Sequence, residues 1–237
     1  GSRPGNEPGF AGLARAVGDW IGRHGGQLVY GGGNNGLMGV VADATLAAGG
    51  RVVGIIPKAL VEREWAKLDC TELHVVDTMH ERKRLMAERA DAFLALPGGI
   101  GTFEELFEVW TWRQLGYHHQ PLALLNVAGY YDGLLAFMRS SVDEGFLAAE
   151  QMDSLMVDAH AAALLDRLAQ ATQPRRTSGT RSAASACSCW TAPDWMRRSS
   201  CRTPTTAGPS ITWWAASTSR PASRCGMVSA WIGDGDS

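Results

Sequence analysis

Between Gly9 and Ala169, short runs rich in Val, Ile and Leu alternate with amphipathic segments, and that alternation leaves few folds open. Strands that return to one sheet through helices run parallel, and the helices cover both faces of the sheet. The runs Gln27–Gly31, Arg51–Pro57, Leu73–Asp77, Ala92–Leu96 and Pro121–Asn126 read as strands, with a weaker one near Ser154–Val157. Helices are expected over 9–24, 37–48, 79–90, 102–116, 130–144 and 159–169. Their apolar residues recur at spacings of three and four, as Phe10, Leu13, Val17, Trp20 and Ile21 do, which places one stripe against a core. The expected fold class is α/β: a Rossmann-like, doubly wound parallel sheet with helices on both faces.

The pattern stops at Gln170, and the chain divides there into a folded domain, 1–169, and a tail, 170–237. The tail contains no Leu, Lys, Glu, Phe, Tyr, His or Asn, and its five tryptophans are scattered among Ser, Thr, Pro and Arg. A core cannot be patterned from such a composition, so the tail is expected to be low-complexity and disordered. An out-of-frame reading of a GC-rich gene, a natural extension and a basic nucleic-acid tail are the readings open for it. The opening Gly1-Ser2-Arg3-Pro4-Gly5 reads as a loop. The first strand of the sheet, central in a Rossmann order, is therefore expected to be missing, and the chain to be poorly stable as a result.

Charge follows the same division. Residues 1–169 carry 14 Lys and Arg against 21 Asp and Glu, whereas the tail carries 8 Arg against 3 Asp. An acidic body lacks the basic field that a nucleic-acid partner requires. No run approaches the roughly 18 apolar residues of a membrane helix, and no basic-then-apolar leader opens the chain. Only Cys70 lies in the body, so a reducing, cytoplasmic compartment is expected.

Two glycine loops each leave a strand and open a helix. Gly31, Gly33 and Gly36 match the G-x-G-x-x-G spacing, but the next strand ends in Ile56-Pro57-Lys58, without the acidic residue that a dinucleotide's ribose needs. The second loop, Pro97-Gly98-Gly99-Ile100-Gly101-Thr102, suits a monophosphate: glycines let an anion approach free amides at the positive end of a helix. Thr102 and Glu105 also satisfy the spacing of a capping box, and that local role competes with a chemical one. Ahead of this loop, Met79, Arg82, Lys83 and Met86 share one helical face. A solvated charge run with a Glu81–Arg84 pair is the plainer reading of that helix, and His80 has no partner of triad type.

With these residues assembled, the body from about Gly1 to Leu168 resembles the Lonely guy (LOG) family, long labelled in error as lysine decarboxylases. Its paired signature stands here as Met79-His80-Glu81-Arg82-Lys83 and Pro97-Gly98-Gly99-Ile100-Gly101-Thr102-Phe103-Glu104-Glu105. Tyr30-Gly31-Gly32-Gly33, Gly36-Leu37-Met38-Gly39 and Leu125–Asp132 support it. The resemblance implies a cofactor-free homodimer that hydrolyses a cytokinin riboside 5′-monophosphate, or AMP, to free base and ribose 5-phosphate. It implies Arg82 and Glu105 as the catalytic pair. It implies substrate contacts from Glu64, Met79, Lys83, Gly98, Gly99, Ile100, Gly101, Thr102, Phe103, Glu104 and Thr111.

The residue types suit that chemistry. N-glycosidic cleavage passes through an oxocarbenium-like state, which a carboxylate stabilises while orienting water, and an arginine fork fixes the reacting geometry. No His, Cys and Asp cluster suggests a metal. A decarboxylase would need pyridoxal phosphate on Lys58, Lys67 or Lys83, and a nucleotide carrier of the same fold could dispense with the carboxylate. Trp110, Trp112 and Leu115 are either core or a contact face for a second copy.

Overall fold

The computed structural model describes residues 2–61 and 66–172, and the backbone of 227–231. Helix α1 (Gly9–Arg23) leads into β1 (Gln27–Tyr30), α2 (Gly36–Ala47), β2 (Arg51–Pro57), the single turn α3 (Lys58–Val61), β3 (Glu72–Val76) and α4 (Met79–Glu88). The chain continues through β4 (Phe93–Ala95), α5 (Ile100–Gln114), β5 (Leu122–Leu125), α6 (Asp132–Asp143), α7 (Ala149–Asp153), β6 (Leu155–Asp158) and α8 (Ala161–Thr172). Met227–Trp231 form β7. All six expected strands are present. The helices α3 and α7 were not expected, because four or five residues are too few to show a stripe.

The strands form one parallel sheet in the order β3-β2-β1-β7-β4-β5-β6. From β1 the chain winds outward to β3, then returns past the centre and winds the other way from β4 to β6. The period of two along each strand splits the core in two. Leu28, Tyr30, Val52, Leu94 and Ala123 pack with Val17 and Ile21 of α1, Leu37 and Val41 of α2, and Leu164 and Leu168 of α8. On the opposite face Val29, Val53, Ile55, Phe93 and Leu122 pack with Met86 of α4, Leu106 and Val109 of α5, and Leu135 of α6.

The centre of the sheet carries the largest departure from expectation. The slot between β1 and β4, expected to be vacant, is occupied by β7 from the tail. Gln27, Leu28 and Val29 lie beside Met227, Val228 and Ser229, while Phe93, Leu94 and Ala95 lie beside Ser229, Ala230 and Trp231. Two buried strands with open edges would each expose a row of unsatisfied amides and carbonyls, and five residues of a turn-rich tail suffice to satisfy both rows. The rest of the tail, 173–226 and 232–237, lies outside the described residues. Among the described residues no helix is long and apolar enough to cross a membrane.

Winding outward in both directions from the centre creates a switch point at β1 and β4, and ligands of such sheets bind in the crevice beyond its carboxyl ends. The first glycine loop follows β1 and the second follows β4, so both open onto that crevice.

Candidate active site

The second glycine loop sets up the start of α5. Gly99 is its N-cap, in extended backbone, and contributes no side-chain cap; the first turn holds no acidic residue. Its amides and the positive end of the helix dipole are therefore not answered by a nearby carboxylate of that turn. Because α5 begins at Ile100, Thr102 and Glu105 lie inside the helix, and the capping-box reading is corrected: the cap stands three residues earlier than it requires. Thr102 and Glu105, three apart on one face, are 0% and 2% exposed. Helical side chains lean back toward the N-terminus, which carries the Glu105 carboxylate toward the loop.

A cavity of about 280 Å³ opens at this helix start. Its walls are Pro97, Gly98, Gly99 and Ile100 on one side, Ser2, Arg3, Pro4 and Gly5 on another, and Phe10, Leu37 and Tyr130. The N-terminal loop is held there by close approach to α2. Gly36 has φ +56, and a Cβ on it would meet the backbone of Ser2 and Arg3, so only glycine lets the two segments touch.

Helix α4 starts with a true cap. Thr78 Oγ1 accepts from the Glu81 amide at 3.1 Å, and Glu81 Oε2 accepts from the Asp77 amide at 3.1 Å. Glu81 is thus spent on the cap, and Arg84 pairs with Glu88 at 2.5 Å instead. The solvated-face reading is corrected further by Arg82 and Lys83, which are buried at 0% and 6% exposure. The Arg82 Nε donates to Ile55 O at 3.1 Å and Nη2 to Gly31 O at 3.3 Å, so its guanidinium rests on the carboxyl ends of β1 and β2. A Cβ at Gly31 would collide with that guanidinium. The first glycine loop is accordingly a seat for an arginine. Its Gly32 carbonyl accepts from the Lys67 amide, and Gly33 bridges Ala66, which ties down the segment following 62–65.

Lys83 links the two helices. Its Nζ lies 2.5 Å from Glu104 Oε1 and 3.1 Å from Glu108 Oε1 on α5. Burial, the largest influence, pulls the Lys83 pKa down, but its two carboxylate partners outweigh it and leave the pKa raised. Burial pushes the Glu108 carboxyl above the usual range, against the pull of Lys83.

The structure therefore brings Gly98, Gly99 and Ile100 to the cavity, with Ile100 on its rim at 71% exposure. Gly101 and Phe103 lie in the first turn of α5, Phe103 edge-on to Tyr131. Met79 touches Arg82 through its sulfur. Arg82 and Glu105 sit at the same end of the sheet without lining the cavity. Thr111 is exposed, twelve residues and about 18 Å along α5 from Gly99. Glu64 lies outside the described residues, and His80 is exposed. Ser2, Arg3, Phe10 and Tyr130 were not foreseen as site residues; the opening loop and the Tyr130-Tyr131 pair were visible in the sequence but had no evident neighbour. Trp110 is core at 5% exposure, Trp112 is partly buried and Leu115 is 60% exposed, so the three do not act as one face.

Residues 38–168 match a family described as "possible lysine decarboxylase". Two Arabidopsis thaliana proteins named cytokinin riboside 5'-monophosphate phosphoribohydrolase are similar over the body. LOG7 is 49% identical over 148 residues, covering 62% of this chain and 68% of its own length. LOG1 is 47% identical over 148 residues, covering 62% and 70%. The fold is shared with the molybdenum cofactor carrier protein of Chlamydomonas reinhardtii, at a TM-score of 0.53 and 21% identity over 70% of this chain and 89% of that one.

Proposed function

We propose that this chain, which belongs to the family described as "possible lysine decarboxylase", hydrolyses the N-glycosidic bond of a nucleoside 5′-monophosphate. Water adds to C1′ of the ribose, the bond to the base nitrogen breaks, and free base and ribose 5-phosphate leave. The observation that carries this reading is the start of α5, where uncapped amides open on a cavity and Glu105 lies buried one and a half turns further along the same helix. The 5′-phosphate sits on those amides, with Arg3 of the cavity wall alongside. Glu105 faces the anomeric carbon and orients water, and Arg82, anchored to two carbonyls, holds the sugar or base edge. Arabidopsis relatives named for this reaction on cytokinin ribosides make a purine the expected base.

The family's descriptive name points elsewhere, and the lysines argue against it. Lys58 pairs with Asp77 at 2.6 Å, Lys67 with Asp43 at 2.5 Å and Asp69, and Lys83 with Glu104 and Glu108. All three pKa values are raised, Lys58 by its hydrogen bond to Asp77, and Lys67 and Lys83 by carboxylates that overcome burial. A Schiff-base lysine needs the opposite shift, toward the neutral amine. A carrier, in turn, has no use for a carboxylate buried beside its anion site.

The same reading makes the protein a cytoplasmic homodimer, consistent with the free thiol of Cys70 and with exposed Leu115 and Tyr117 at the end of α5. The test is a panel of purine and pyrimidine nucleoside monophosphates and their unphosphorylated nucleosides, assayed for free base. Release is expected from a purine monophosphate and not from its nucleoside; equal release from both would reject an anchored phosphate. Gly31→Ala, whose methyl evicts the Arg82 guanidinium, is expected to lower kcat by about a hundredfold. A kinetically normal Gly31→Ala protein would show that the arginine's seat is irrelevant.

A further inference from the structure

Two consecutive glycines, Gly98 and Gly99, form the lip of the cavity, and nothing lies within 4 Å of where a Gly99 Cβ would be. Such a dipeptide has the widest conformational freedom of any pair, and an anion site made from it gains from an outside restraint. That restraint comes from the loop after β5. Ala128 at φ 52 and Gly129 at φ 70 turn the chain back, and the Asn126 side chain fastens the turn by accepting from the Tyr131 amide at 2.7 Å and donating to Asp132 at 2.7 Å. Two tyrosines are thereby aimed at the glycine loop. The Tyr131 hydroxyl donates to Leu96 O at 2.5 Å and its ring is buried at 1% exposure. The Tyr130 hydroxyl donates to Gly98 O at 2.6 Å, and its ring, 42% exposed, stands in the cavity wall, propped edge-on by Phe10 at 5.6 Å and by Tyr131 at 4.9 Å.

We infer that Tyr130 is a positioning residue for the substrate's 5′-phosphate, acting through the Gly98–Gly99 peptide. A trans peptide points its carbonyl and its amide to opposite sides, so pinning Gly98 O fixes the direction of the Gly99 N–H. The hydrogen bond also occupies a carbonyl whose negative pole would otherwise be free to swing toward an anion at the same lip. Tyr131 anchors the strand end beneath, and Tyr130 orients the amide above.

This inference rests on the phosphate reading of the α5 start, and the experiment separates the two. Inorganic phosphate and free adenine are used as inhibitors of AMP cleavage by wild-type and Tyr130→Phe protein. Loss of one oriented hydrogen bond is expected to raise the Ki of phosphate and the KM of AMP about tenfold, with kcat and the Ki of adenine nearly unchanged. Phe10→Leu, which removes the prop but keeps the hydroxyl, is expected to shift the same two constants by a smaller factor. If phosphate inhibits wild type and Tyr130→Phe equally, the positioning role is overturned while the phosphate site stands. If phosphate does not inhibit wild type at all, both fall.

Discussion

Glu105→Gln is expected to release base from AMP at least about a hundredfold more slowly than wild type, as loss of a general acid–base group does, with melting close to normal. A hundredfold corresponds to about 2.7 kcal/mol of transition-state stabilisation, more than one neutral hydrogen bond contributes and within reach of a carboxylate facing developing positive charge. The substitution keeps the shape of the side chain, which is 2% exposed on the core-facing side of α5 between Thr102 and Leu106. Only the charge and the proton-accepting capacity disappear. A rate near wild type would assign Glu105 a purely structural place.

Removal of the chain beyond Gly226 is expected to abolish cooperative melting. Strand β7 contributes three register positions to β1 and three to β4, at the centre of the sheet. Leu28, Val29 and Leu94 beside it are wholly buried, and Phe93 and Ala95 are 2% exposed. Each backbone group stripped of its partner in such a place costs about 1–3 kcal/mol, and several together exceed the 5–15 kcal/mol by which a domain of this size is stable. Circular dichroism of the full chain and of residues 1–226 measures this directly. An unchanged transition in the shorter chain would show that the sheet closes without β7.

The central slot illustrates what the sequence does and does not reveal. That a doubly wound sheet needs a strand between β1 and β4 could be inferred from the order of elements. That Met227–Trp231 would occupy it could not, because five residues after Gly226, in a stretch without periodicity, give no pattern to read. The six remaining strands were legible because buried parallel strands are continuous apolar runs. Helix α5 was legible as a helix but not in its start: Thr102 and Glu105 imitate a capping box, and only the position of Gly99 shows that the helix opens earlier.

The site divides in the same way. Arg82 was recognisable by its face and motif, whereas its burial on Ile55 O and Gly31 O depends on backbone 27 and 51 residues away. The first glycine loop has the spacing of a dinucleotide cradle but lacks the acidic residue that goes with it. Its glycines instead make room for a guanidinium, a role that spacing alone cannot distinguish. Tyr130 lay inside a recognised stretch, yet its partner at Gly98 is 32 residues distant and visible only in the fold.

The most direct test of the account is the crystal structure of Glu105→Gln protein with AMP bound. The phosphate is expected on the amides that open α5, within the cavity walled by Arg3 and Tyr130, and C1′ of the ribose against the residue 105 side chain. A phosphate seated at the start of α2, with residue 105 out of reach of the sugar, would contradict it.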